Sequence, residues 1–230
     1  GHGHNDCLSF EASLLGIPLI TDCGAYVYSA DPAWRNDFRS TGFHNTPIIG
    51  GEEQNRFVHP EYLWSLHDDA EPDLRHWSSV PEEDRFIGAH SGYRRLPSPV
   101  TPVRGIVLDK STHRVVIADH FEGTGEHGIR IPYHFAPGVE ASQDGAGQWR
   151  LSAGGQDFLL VSDMGDDWTA NLGDGWVSPS YGLKHPTTVL NFIRRGPLKP
   201  LAIAILPAEG APADPLEWLA ETIAGFKEAD

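Results

Sequence analysis

Residues 104–121 read RGIVLDKSTHRVVIADHF. Two β-branched runs flank Lys110, Ser111 and Thr112, so the stretch predicts an antiparallel hairpin with a polar turn. Segments of the same kind recur on both sides. Downstream lie HGIRIPYHFA (127–136), QWRLSAG (148–154), QDFLLVSD (156–163), TTVLNFIRR (187–195) and LAIAILPA (201–208). Upstream, LSFEA (8–12) sets Leu8, Phe10 and Ala12 against Ser9 and Glu11, the alternation of a half-buried strand. LGIP (15–18) then turns the chain and LITDCGAYVYS (19–29) returns it. Short strands at regular spacing predict an all-β fold, an antiparallel β-sandwich.

Two helices interrupt the pattern. DPAWRNDFRST (31–41) offers Asp31 as N-cap and Pro32 at the first helical position, which predicts a short helix near 31–40. Asp214 and Pro215 repeat the device and predict a C-terminal helix near 214–228, with Leu216, Leu219, Ile223 and Phe226 on the face that packs on a sheet. The stretch 59–83 is rich in His, Asp, Glu and Trp without a period, and reads as an elaborate loop. No repeat or linker divides the chain, so residues 1–230 are expected to form a single domain.

With 40% hydrophobic and 21% charged residues the composition is that of a globular protein, and no apolar run is long enough to span a bilayer. A net charge of −15 argues against a nucleic-acid partner. An acidic polymer would need local basic clusters, for which Arg35 with Arg39, Arg94 with Arg95, and Arg194 with Arg195 are candidates. Cys7 and Cys23 are the only cysteines, outside any CxxC pattern, and are compatible with a disulfide or with two free buried thiols. The chain opens without methionine, so it is expected to be a piece of a longer protein.

Twelve histidines are present, and their spacing matters more than their number. His2 and His4 lie two apart, on one face if the segment is a strand. Asp22 is expected on the returning strand and His44 after the short helix. Two imidazoles and a carboxylate from three segments form a common zinc set, with Asp6 and His90 competing as ligands.

Residues 1–29, followed by WRNDFRSTGFHNTPIIGGEEQ (34–54), closely resemble the start of the C-terminal β-sandwich region of heparinase II/III-like polysaccharide lyases. VVIADHFEGTGEHGIRIPYHFAPG (115–138) and GWVSPSYG (175–182) are similar to the same family. The resemblance implies a supersandwich-like domain packed against an N-terminal helical toroid, which this chain lacks and which carries the family's tyrosine acid/base. It implies cleavage of uronic-acid glycans by β-elimination in a cleft between the two parts, a periplasmic or secreted location, and zinc as a mainly structural cofactor. His2 matches the histidine that faces substrate; His4, Asp22 and His44 match the zinc ligands. Arg35, Arg39, Tyr28 and Tyr181 become candidates for substrate binding, and Trp34 and Trp176 for stacking on sugars or for the core. The expected partners are an acidic polysaccharide, the toroid and a second copy in a homodimer, with no nucleic acid and no membrane. A non-catalytic carbohydrate-binding sandwich is the alternative. A zinc hydrolase would need Glu11 as its base, on the face opposite Leu8 and Phe10.

Overall fold

The computed structural model describes residues 2–226. Its elements are β1 (Ala12–Leu14), β2 (Ile17–Ile20), α1 (Pro32–Phe38), β3 (Ile48–Ile49), β4 (Pro72–Ser79), β5 (Glu83–His90), β6 (Val100–Asp109), β7 (Arg114–Gly123), β8 (Glu126–His134), β9 (Glu140–Gly145), β10 (Gln148–Ala153), β11 (Gln156–Ser162), β12 (Thr169–Ser180), β13 (Leu183–Pro197), β14 (Leu201–Pro207) and α2 (Pro215–Phe226). The 104–121 hairpin is β6–β7, with Ile106 opposite Ile117 and Val107 opposite Val116. Asp109 fixes its turn: the carboxylate accepts hydrogen bonds from the backbone N–H and hydroxyl of both Ser111 and Thr112.

Two antiparallel sheets face each other, as the sequence predicts. One runs β4-β5-β6-β7-β14-β11-β10-β9 and the other β12-β13-β8-β3. Their inner faces meet in one core: Val115, Ile117, Trp149, Leu151, Phe158, Leu160, Ile203 and Ile205 from the first, Ile129, Ile131, Tyr133, Leu190 and Phe192 from the second. β14 is buried on both faces. Its outward Ala202, Ala204 and Leu206 pack under α2, whose Leu216, Leu219 and Ile223 occupy the expected face. The small side chains of Ala202 and Ala204 on that side let the helix approach. The Asp214 cap is present, with its carboxylate accepting from Leu216 and Glu217 N–H. The expected extension of this helix to 228, and the side chain of Phe226, lie outside the described residues.

Three local expectations are corrected. LSFEA is not a strand: Leu8 has φ 65°, and pairing begins only at Ala12. The His2–His4 segment and the residues after Ile20, Asp22 included, are likewise irregular backbone. The reason is side-chain competition for the backbone, described below. The 59–83 loop contains β4, which pairs with β5. Almost every β4 residue is exposed, so no apolar alternation marks it in the sequence.

Candidate functional site

The site is built from segments that no sheet ladder holds, so buried polar side chains hold them instead. Asn45, fully buried, donates from Nδ2 to the carbonyls of Phe10 and Thr21 and accepts the His134 N–H at 2.7 Å. The Asn5 side chain donates to Glu53 at 2.8 Å and accepts the Asn55 N–H at 2.9 Å. Gln54 bonds both the N–H and the carbonyl of Cys7. Arg104 forms a buried bidentate pair with Asp119, both contacts at 2.8 Å, and its remaining nitrogen donates to the carbonyls of Leu8 and Asn45. Arg104, from the larger sheet, thereby ties Leu8 to the 44–46 segment.

Asp22, Cys23 and Gly24 make a tight turn after β2. Asp22 Oδ1 accepts the Gly24 N–H at 2.8 Å, and Gly24 has φ 75°. A Cβ at Gly24 would lie 2.2 Å from the Ser178 carbonyl oxygen, so only glycine fits. The GWVSPSYG segment in turn grips the turn, with Ser178 N–H donating to the Cys23 carbonyl at 2.7 Å. Asp22 Oδ2 lies 2.6 Å from His44 Nδ1, and Cys23 Sγ lies 3.7 Å from the same nitrogen. Ligand atoms of these three residues fall within 4.8 Å of one another. His44 Nε2 is buried with no partner among the described residues. An imidazole, a carboxylate and a thiol in this arrangement are a donor set that fits zinc.

His4 stands beside this set, its ring centroid 5.2 Å from that of His44. Its Nε2 faces Arg35 Nη1 at 2.6 Å. Burial, the His44 charge and the Arg35 guanidinium lower its pKa to about 4, so the ring is neutral at neutral pH. Burial raises the Asp6 carboxyl, on which His44 and Asp22 also act. Burial, reinforced by Asp22 and Asp6, holds the metal-free Cys23 thiol well above its ordinary value. His90, the other competing ligand, lies outside the cluster at the end of β5, with Nδ1 accepting the Gly92 N–H. Glu11 is engaged through Oε1 with the Asp22 N–H and the Thr21 hydroxyl, and so orients the Asp22 backbone.

Above His4 an aromatic cluster opens to solvent. The exposed His2 ring meets Tyr28 and Trp64 edge-on, each at 5.1 Å between centroids. Tyr181, exposed on the far side, lies 5.6 Å from Tyr28. Arg35 is fully buried beneath this layer, 5.5 Å from the Tyr28 and Trp64 rings, and its Nε and Nη2 have no hydrogen-bond partner among the described residues. Arg39 is also fully buried and donates to the carbonyls of Tyr62, Leu63 and Ser65, which shapes the loop bearing Trp64. Trp34 and Trp176 pack on Lys184 instead and line a groove of about 910 Å³ that contains none of His2, Tyr28, Tyr181, Arg35 or Arg39. Of the other basic pairs, Arg94 donates to Thr101, Arg95 to the carbonyls of Glu53 and Gln54, and Arg194 to Asp167, whereas Arg195 is exposed and lines the groove.

The structure thus brings Asp22 into contact with His44, sets His4 against that pair, and gathers His2, Tyr28 and Tyr181 in one aromatic cluster with Arg35 against the Tyr28 ring. Sequence reasoning missed Cys23, which lies with Asp22 and His44 in one donor cluster, and Trp64, which packs against His2 and Tyr28. Both cysteines are free thiols.

The model of the heparinase II/III-like C-terminal family matches residues 1–214. A heparinase III gene product has the same fold, with a TM-score of 0.72 at 18% identity over 89% of this chain and 30% of its own. The heparan sulfate lyase HepC from Pedobacter heparinus gives a TM-score of 0.72 at 17% identity, again over 89% of this chain and 30% of its own. This chain therefore spans about 30% of the length of those proteins. No curated protein matches it. With most of its length matched to that model and its two-sheet architecture shared with heparinase III structures, the chain belongs to the heparinase II/III-like C-terminal family.

Proposed function

We propose that the chain is the sandwich part of a polysaccharide lyase that cleaves uronic-acid-containing glycans by β-elimination. The observation that carries this is His2, an exposed imidazole walled by Tyr28 and Trp64 directly above the Arg35 charge. Elimination requires the C5 proton of the uronate to become acidic, a base to take it, and an acid for the departing O4. Neutralising the neighbouring carboxylate stabilises the enolate-like transition state. Arg35 supplies positive charge in a water-poor layer beneath the cleft, where its field is weakly screened and favours a carboxylate or sulfate above it. His2 is accessible for proton exchange and serves as base or as part of the carboxylate's neutralising group. Trp64, Tyr28 and Tyr181 offer faces for sugar rings, and Arg39 acts on substrate through the loop it shapes.

The central tyrosine acid/base is expected on a helical toroid packed against this domain. His4, Asp22 and His44 would hold zinc, which when bound contributes structural cross-linking. His4 joins such a set only by releasing Arg35. A ring nitrogen has one lone pair, and His4 Nε2 accepts from the guanidinium at 2.6 Å.

A non-catalytic carbohydrate-binding module would use the same aromatic faces, and His2 separates the two readings. In the full-length protein, His2→Ala is expected to abolish most lyase activity, followed by absorbance of the unsaturated product, while glycan binding persists. Wild-type protein that binds uronate glycans but releases no unsaturated product would leave only the binding module.

A further inference from the structure

Cys23 is the member of the cluster to which the reading above gives no role. We propose that its thiolate is a metal ligand, joining Asp22 and His44 in a sulfur-containing centre; this rests on the metal reading of the preceding section. Neighbouring side chains on an extended strand point to opposite faces. Here the turn at Gly24 brings Asp22 and Cys23 to the same nitrogen of His44, at 2.6 and 3.7 Å. In a tetrahedral zinc site with Zn–S near 2.3 Å and Zn–N near 2.0–2.1 Å, sulfur and nitrogen are about 3.5 Å apart. The Cys23–His44 pair is already close to that spacing. The Asp22–His44 pair is at hydrogen-bond length and opens by roughly 0.7 Å to share a cation.

Three further observations favour the thiol. The fully buried Cys23 gives up only weak contacts, to the carbonyls of Gly24 at 3.2 Å and Phe38 at 3.4 Å. His4 gives up a 2.6 Å charge-assisted bond. The orientation of His44 is set only from its Nδ1 side, because Nε2 has no partner among the described residues. Charge also decides: Zn²⁺ with Asp22 and neutral imidazoles leaves a net positive centre beside the buried Arg35, whereas carboxylate plus thiolate makes it neutral. Binding forms a metal–sulfur bond, breaks the S–H bond and releases that proton to solvent, with no redox change.

Cobalt(II) titration of the intact protein tests this. One equivalent per chain is expected to bring a near-ultraviolet sulfur-to-cobalt charge-transfer band alongside weaker visible bands. The band should persist in Cys7→Ser and vanish in Cys23→Ser, with about tenfold or greater loss of zinc affinity. Should Cys23→Ser not fold, X-ray absorption of zinc-loaded wild-type protein gives the same answer: one sulfur scatterer at about 2.3 Å is expected in the zinc shell. Stoichiometric cobalt binding without the band, or a zinc shell of nitrogen and oxygen alone, overturns the role of Cys23 and leaves the metal site standing. Failure to bind either ion overturns both.

Discussion

Gly24 occupies the most demanding backbone position of the site, with positive φ and a carbonyl oxygen where a Cβ would sit. Gly24→Ala is expected to cost at least about 1 kcal/mol from the left-handed conformation alone, plus the displacement of Ser178. Urea denaturation would measure it, and zinc uptake should fall with it. His90 is another residue whose burial has a consequence. Burial, with the Arg104 and Arg95 charges, lowers its pKa from 6.5 to about 4. Between those values the unfolded chain binds a proton that the folded chain refuses. Stability therefore falls as pH drops from 6.5 towards 4, by up to about 1.4 kcal/mol per pH unit from this group. His90→Asn keeps an acceptor for the Gly92 N–H and should flatten that slope in urea midpoints measured across the range. His2, His4, Asp22 and His44 stood out in the sequence because they sit in short, ordered motifs. Cys23 did not, because an extended reading sends it away from Asp22. Trp64 did not, because carbonyl contacts to Arg39, distant in sequence, decide the path of its loop.

At the scale of elements, legibility follows burial. LAIAILPA announced β14 because it is apolar on both faces, Leu201, Ile203 and Ile205 toward the core and Ala202, Ala204 and Leu206 toward α2. Both helix starts were readable because an Asp–Pro pair caps by local geometry alone. β4 has no buried face to mark it, β9 is almost wholly exposed, and β12 carries two glycines and a proline that weaken strand propensity. Their pairing partners impose the strand. LSFEA shows the opposite error: its alternation is real, but the hydrogen bonds of Asn45 to Phe10 O and Thr21 O replace a ladder. α2 is fastened chiefly by Leu219, buried against β14 and β11. Leu219→Ala is expected to destabilise by about 2–5 kcal/mol in chemical denaturation, depending on how far the helix settles into the void.

At the scale of the whole molecule, the sandwich and the irregular N-terminal region behave as one unit because Arg104 and Asp119 join them. Asp119→Ala leaves a buried guanidinium without its counter-charge and is expected to cost about 3–5 kcal/mol, read from thermal or urea unfolding. It should loosen residues 2–10 as well, visible as faster amide exchange at Asn5 and Ser9. The larger sheet also has an outer boundary, β4, where Leu74 and Trp77 are 65% and 61% exposed. A bare outermost strand is a template on which another chain can add its own strand. The irregularity between Leu74 and His76 breaks the repeat there, and Arg75 is held across the sheet by Glu122 at 2.9 Å. These features are expected to limit such pairing. Arg75→Val should leave unfolding midpoints nearly unchanged yet make concentrated solutions scatter light.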